Sequence, residues 1–307
     1  MSAKSNRSEG VRMEREEIIE ALATYTGRFP KVAISEAIQA WDDIAPELLE
    51  ALERTASDVA AAAEVTDQSM LEVFTIFIGA QKRDARVFDP LMRIVSHPIG
   101  KDLDRVLGDV LTEDAGRILA SVCYGRLCPI EDLIEDREAY EYSRIAGVKA
   151  LTTLVVEGEL GREEAIEYLR ELLCGRLERE PSFIWHSVVR LCGILAAQEL
   201  ESEVQRAFEN DIVETFAMRY EDIERDLLAD FEDVMSRERG NPHHRFVRNV
   251  VEEMRWWAAF RDNTGQQRGG GNSTKGLDWE DVAKMRYPRV ATIRNEAPKV
   301  GRNEPCP

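Results

Sequence analysis

The chain has 307 residues, of which 44% are hydrophobic and 32% are charged, a composition that argues against global disorder. Its net charge of -18 is uneven: residues 263–307 contain eight Lys or Arg against five Asp or Glu, which leaves -21 for residues 1–262. Such an acidic body would repel nucleic acid and anionic lipid and would favour basic partners, unless the acidity serves only solubility.

Apolar residues recur with the period of an α-helix after a polar start, and residues 1–12 are predicted to be a disordered N-terminal tail. No stretch alternates polar and apolar residues for long enough to predict a strand, so we predict an all-α fold with a helical domain over residues 13–261. Asp89 followed by Pro90 predicts a cap and a helix that begins at the proline. The clearest apolar stripes are Ile34, Ala37, Ile38 and Trp41 after Pro30; Ala115, Ile118, Leu119 and Val122; and Val188, Leu191, Cys192 and Leu195.

Residues 142–173 predict a helical hairpin. Two apolar stripes, over residues 145–155 and 165–173, are separated by a short turn that ends at Gly161. Helices joined by so few residues lie antiparallel, and each is too short to bury its stripe alone. We therefore predict stacked HEAT-like helical-hairpin repeats, an α-solenoid, with a closed irregular helical domain as the alternative. Weaker pairs at irregular spacing are AGRILASV with IEDLIED, and HSVVRLCGIL with ESEVQRAF.

The end of the helical domain is predicted to be a long helix that opens at His243 and His244. Trp256 and Trp257 are adjacent, and on a helix their rings diverge by about 100°. Either this helix packs on two sides, or these tryptophans bind a partner. Beyond it, residues 262–276 contain five glycines and predict a flexible linker. Residues 277–307 predict one short helix and an extended tail.

The tail ends on VGRNEPCP, residues 300–307, where Cys306 lies outside any predicted helix. This run closely resembles the opening of the SEC-C motif, a small zinc-binding module with four ligands. The resemblance implies that Cys306 is a metal ligand and that Arg302 contributes to partner binding. Because the other three ligands are absent, it also implies a truncated module that is unfolded in this chain, with zinc expected only where the motif is complete.

Two segments, residues 29–53 and 154–173, look like a bacterial family of unknown function, domain of unknown function 1186. Its members often carry the same zinc motif at the C-terminus. The resemblance implies a helical repeat body with a tethered zinc module, and it supplies no catalytic residues.

Neither the cysteine pattern nor any catalytic motif in the sequence indicates an enzyme class. Five widely spread cysteines do not form a disulfide framework, and no signal peptide or membrane span is evident, so we predict a cytoplasmic protein. Cys123, Cys174 and Cys192 are predicted to pack in the core rather than to bind metal. HExxH, GxSxG and phosphate-loop motifs are absent.

These observations predict a non-catalytic protein-binding scaffold or adaptor that needs no cofactor in this chain. Its partner would be a protein or peptide with a basic surface, with no membrane contact, and its oligomeric state is left open. The alternative is a helical-repeat enzyme that acts on nucleic acid, such as a HEAT-like DNA glycosylase. That enzyme needs a basic groove, which a body near -21 disfavours.

Overall fold

The computed structural model describes residues 13–65, 69–213 and 218–260. These residues are all-α, as predicted: they form 17 α-helices joined by short 3₁₀ and π turns, and they contain no strand. None of the helices in this part of the chain is long and apolar enough to cross a membrane. The predicted tail 1–12, linker 262–276 and segment 277–307 lie outside the described residues.

The helices follow one another closely in the chain. The first eight are α1 Arg15–Ala23, α2 Lys31–Gln39, α3 Trp41–Ser57, α4 Val59–Val65, α5 Leu71–Gln81, α6 Phe88–Val95, α7 Gly100–Val106 and α8 Val110–Glu113. The remaining nine are α9 Ala115–Val122, α10 Cys128–Glu135, α11 Glu141–Val156, α12 Arg162–Glu171, α13 Phe183–Ile194, α14 Glu201–Glu209, α15 Tyr220–Leu227, α16 Phe231–Arg239 and α17 Val250–Met254.

The helices of the three predicted pairs are present, as α9 and α10, α11 and α12, and α13 and α14, and of these pairs α11 packs against α12. In the turn between α11 and α12, Gly158 has φ +78°, a left-handed conformation that glycine adopts at no steric cost. The first helices of the pairs pack side by side in the order α9, α11, α13. Helix α5 packs against α9 at one end of this row, and α15 packs against α13 at the other end. This arrangement is compatible with stacked hairpins, while the HEAT-like repeat type stays a prediction.

Helix α11 is more deeply buried than its predicted single stripe suggests. Its polar residues Ser143, Thr152 and Thr153 are buried together with its apolar ones, because α9, α10 and α13 surround it. Arg144, also buried, donates from its two Nη atoms to Glu178 at 2.7 and 2.8 Å. A buried arginine needs such a carboxylate partner, since an uncompensated charge in the interior is costly.

Two sequence predictions are wrong, one about the start of a helix and one about the burial of Cys174. Helix α6 begins at Phe88, so Asp89 and Pro90 lie in its first turn rather than at its boundary. The capping residue is Asp84, whose carboxylate accepts from the Arg86 backbone N–H at 3.0 Å and opens a 3₁₀ turn that leads into α6. Cys174 is exposed, because it lies in the π turn that follows α12 rather than in a buried stripe.

Candidate functional site

The predicted long C-terminal helix is replaced by a segment that crosses the body, residues 241–260, which we call the strap. It consists of a 3₁₀ turn at Pro242–His244, an extended stretch over residues 245–249, helix α17, and a 3₁₀ turn at Ala258–Phe260. Near its end the Tyr25 hydroxyl donates to the Ala259 carbonyl at 2.7 Å. The strap therefore joins the last described residues to the loop after α1.

The extended stretch of the strap is held through its backbone by side chains of the body. Glu157 accepts from the Phe246 N–H at 2.9 Å, and Ser121 Oγ accepts from the Val247 N–H at 3.1 Å. Four body residues bind the backbone of the strap in this way, at the end of α5, on α9 and at the end of α11. We call the surface they form the groove: Gln81, Arg117, Ser121 and Glu157.

These bonds explain why residues 245–249 are not helical. A backbone N–H that is buried needs an acceptor, and in a helix that acceptor is a carbonyl four residues earlier. Here body side chains accept from Phe246, Val247 and Val250, the last through Gln81 Oε1 at 2.7 Å. Glu253 of α17 accepts from the Arg248 and Asn249 N–H groups at 3.2 and 3.1 Å. Asn249 then caps α17, since its side chain accepts from the Glu252 N–H at 3.1 Å.

Three consecutive side chains anchor the stretch. The Phe246 ring lies 3.9 Å from the guanidinium carbon of Arg83, a cation–π contact. Val247 is buried. Arg248 donates from Nη2 to both carboxylate oxygens of Glu157, at 3.0 and 2.7 Å. An aromatic, an aliphatic and a basic side chain thus each have a defined place.

Arg117 is the most deeply buried charge in the groove. Its side chain is only 8% exposed, and it donates to the Arg245 carbonyl at 2.8 Å and to the Phe246 carbonyl at 3.2 Å. Its Nη1 also pairs with Asp114 at 3.1 Å and with Glu253 of the strap at 2.8 Å. The guanidinium fork can serve all these acceptors at once, which an ammonium group could not do.

The two tryptophans lie in different environments. Trp257 is half-buried and packs edge-on against Phe77, with ring centroids 5.3 Å apart. Trp256 exposes 64% of its surface, with Arg255 over its ring at 4.5 Å. Trp257 therefore has an intramolecular contact, while partner binding by either ring stays a prediction. The predicted sites Arg302 and Cys306 lie outside the described residues.

A buried hydrogen bond between His244 and Glu238 holds the start of the strap. His244 Nδ1 lies 2.8 Å from Glu238 Oε2 on α16. Burial lowers the pKa of His244, and this effect outweighs the opposing influence of the carboxylate. Burial raises the pKa of Glu238, but hydrogen bonds from Arg237 and His244 outweigh that effect and lower it. We infer a neutral imidazole that donates to an ionised carboxylate.

Acidification is therefore expected to destabilise the protein through His244. The unfolded side chain takes up a proton near pH 6.5, whereas the folded one does so at lower pH. As the pH falls below about 6.5, the unfolded state binds more protons, so stability present above that pH is lost progressively as the pH approaches the folded pKa. Urea midpoints measured between about pH 7.5 and 5.5 should fall more steeply for the wild type than for His244→Gln. Parallel profiles would contradict the assignment.

The described residues do not indicate a metal site or a nucleophilic cysteine. No three His, Cys, Asp or Glu side chains among these residues are placed to hold a metal ion. Cys123 and Cys192 are buried, as predicted. Desolvation by burial raises the pKa of both thiols, to about 12 for Cys192, so neither is an activated nucleophile.

No sequence motif predicts any of the four groove residues. One signal was available: Arg117 is the charged residue in α9, whose other residues, in AGRILASV, are apolar or small, and the whole helix is buried. An arginine in a buried helix needs a partner from elsewhere in the fold. Gln81, Ser121 and Glu157 carry no such signal, because their acceptor roles depend on a segment distant in the sequence.

Comparisons with known proteins give a family but no activity. The sequence profile of the family described as "Protein of unknown function (DUF1186)" matches residues 13–261. An uncharacterized protein of Chlamydia trachomatis serovar D is 33% identical over 248 residues, covering 80% of this chain and 96% of the relative. An uncharacterized protein of Chlamydia muridarum is 34% identical over 215 residues, covering 69% and 84%. No solved structure matches.

Proposed function

This chain belongs to DUF1186, a protein family of unknown function, and we propose that it is a non-catalytic scaffold that binds a protein or peptide partner on its helical face. The observation that carries the proposal is the strap itself. An extended stretch of polypeptide lies on α5, α9 and the end of α11, held by side chains that bind its backbone. A surface that holds one extended segment in this way has the chemistry needed to hold another.

The charge distribution supports the same function. Residues 1–262 carry a net charge of -21, while residues 241–249 within them contain two arginines, two histidines and no Asp or Glu. A basic segment is thus seated on an otherwise acidic body, with Arg248 paired to Glu157. Charge complementarity of this kind favours basic partners and speeds their association.

Affinity capture tests the scaffold proposal. The full chain would be immobilised, and the proteins it retains from a bacterial lysate would be quantified against an equally acidic unrelated protein. We expect specific partners whose retention weakens at high salt, because complementary charges contribute to binding. Retention of the same proteins by the acidic control, at all salt concentrations, would refute the proposal.

We further propose that the tail, residues 300–307, is the opening of a SEC-C zinc motif that adds a second contact in chains where it is complete. Its resemblance to the motif supports this, and Cys306 would be its first ligand. The free thiols of Cys123, Cys128, Cys174 and Cys192 support a reducing compartment such as the cytoplasm. The alternative of a nucleic-acid enzyme stays a prediction.

Zinc content tests the proposed motif. Structural zinc has four protein ligands, so a chain that supplies only Cys306 is expected to retain no more zinc after dialysis than its Cys306→Ser variant. The same chain extended by a complete SEC-C motif is expected to retain about one zinc ion per molecule. Elemental mass spectrometry measures both ratios. Stoichiometric zinc in the present chain, lost on Cys306→Ser, would contradict the proposed ligand set.

A further inference from the structure

We infer that the groove is a recognition site for an extended basic segment of a partner protein, and that the strap occupies it as an intramolecular competitor. The inference rests on the proposed function and names the chemistry of the partner. That partner offers an aromatic, an aliphatic and an arginine side chain in succession, as Phe246, Val247 and Arg248 do in the strap.

The backbone bonds of the groove can be transferred to another chain. Any extended segment presents the N–H and C=O groups that Arg117, Ser121 and Glu157 bind, whatever its side chains are. Among the described residues, the backbone groups of residues 245–248 make no hydrogen bond to another backbone group. A partner segment could therefore replace this stretch group for group, without breaking a helix or a sheet.

The side-chain anchors supply the selectivity. Arg83 presents its guanidinium to the face of an aromatic ring, and Glu157, only 11% exposed, presents a carboxylate to an arginine. A partner with an acidic residue in place of Arg248 would set two carboxylates against each other. Glu157 of the groove thus discriminates by charge, and Arg83, which contacts Phe246, discriminates by its contact with an aromatic ring.

The tether sets the affinity that a partner experiences. A strap attached to the body competes at an effective concentration that is in the millimolar range for short flexible links. The partner must displace the strap. Its apparent association constant is therefore the intrinsic one multiplied by the fraction of molecules whose groove is open. Arg248 is the natural point at which to weaken the strap, because its side chain is 63% exposed and its anchor is the ion pair with Glu157.

Binding of a peptide in trans tests the inference. The probe is a fluorescent synthetic peptide with the sequence of residues 241–254, and anisotropy reports its binding to the full chain. We expect Arg248→Ala to bind the probe about fivefold more tightly than the wild type, because the competing strap is weakened while the groove is intact. Adding Glu157→Gln to Arg248→Ala should remove this gain.

Matched controls separate the groove from general loosening of the strap. Arg255→Ala removes a strap arginine whose partners are Glu252 and the Trp256 ring, outside the groove, and is expected to bind the probe as the wild type does. A probe with glutamate in place of its second arginine should not bind. Circular dichroism verifies that each variant is folded.

Hydrogen exchange gives a second readout that needs no variant. Saturating the wild type with the probe is expected to accelerate exchange of the chain's own amides at Phe246, Val247 and Val250, because these lose their acceptors on the body when the strap is displaced. Unchanged exchange, or equal probe binding by wild type and Arg248→Ala, would overturn the inference. A doubled molar mass of Arg248→Ala without probe binding would also overturn it, since the occupant would then be the strap of a second copy.

Failure of the inference is distinguishable from failure of the scaffold proposal. If affinity capture retains specific partners equally on wild type and on Glu157→Gln, the scaffold stands and its binding surface lies elsewhere. If neither bait retains a specific partner, the scaffold itself is refuted.

Discussion

Replacing Arg117 with alanine is expected to destabilise the protein by about 3–5 kcal/mol, the cost of breaking a buried ion pair by removing one partner. Asp114, which is also buried, would lose its cation, and the carbonyls of Arg245 and Phe246 would lose their donors. No neighbouring group is placed by the described contacts to compensate all of these acceptors. Urea unfolding followed by circular dichroism measures the loss.

The control for this prediction is an exposed arginine in a similar helical setting. Arg54 pairs with Glu50 at 3.7 Å, and both side chains are about 70% exposed. Arg54→Ala is expected to change stability by less than about 0.5 kcal/mol, because exposed pairs of this kind contribute little. A loss below about 1 kcal/mol for Arg117→Ala would show that the strap is not held through this residue.

Replacing Gly116 with alanine is expected to destabilise the protein by about 1–3 kcal/mol, although alanine is the better helix former by about 1 kcal/mol. A Cβ at this position would lie 2.8 Å from the Ala146 carbonyl oxygen and 2.5 Å from the Lys149 Cβ. The first contact is with backbone, so helices α9 and α11 would have to move apart. Thermal or urea unfolding measures the change.

The matched control is a glycine with free space around it. Gly161, the N-cap of α12, has no heavy atom near its ideal Cβ position, and its φ of -67° suits any residue. Gly161→Ser is expected to be neutral or slightly stabilising, since serine is a good N-cap. If Gly116→Ala were stabilising, propensity would outweigh packing, and the close approach of α9 to α11 would be disproved.

Most of the helical body follows from local patterns. The stripe over residues 145–155 and the turn at Gly158 to Gly161 correspond to α11 and its connection to α12. Such predictions succeed because the period of a helix is a local property, and the burial of every third or fourth residue imposes it. The start of α6 escaped prediction, because Asp84 rather than Asp89 is the residue whose side chain accepts a backbone N–H at this boundary.

The candidate site could be predicted only in part. The sequence predicts that the adjacent rings of Trp256 and Trp257 have different surroundings, and in the structure Trp257 packs against Phe77 while Trp256 is exposed. The groove itself was not recognised, because its donors and acceptors lie on α5, α9 and α11, and none of them forms a motif in the sequence. Proximity in space, rather than spacing along the chain, brings them together.

The acidic all-α body and its family membership follow from the amino-acid sequence alone, since helical periodicity is a local pattern and net charge is a sum over residues. The path of residues 245–249 is not. Its conformation depends on hydrogen bonds to Glu157, Ser121 and Gln81, which are 89, 126 and 169 residues away from their partners in the strap. Helical propensity contributes only a few tenths of a kcal/mol per residue. The hydrogen bonds to the body outweigh it, because each satisfies a buried backbone group.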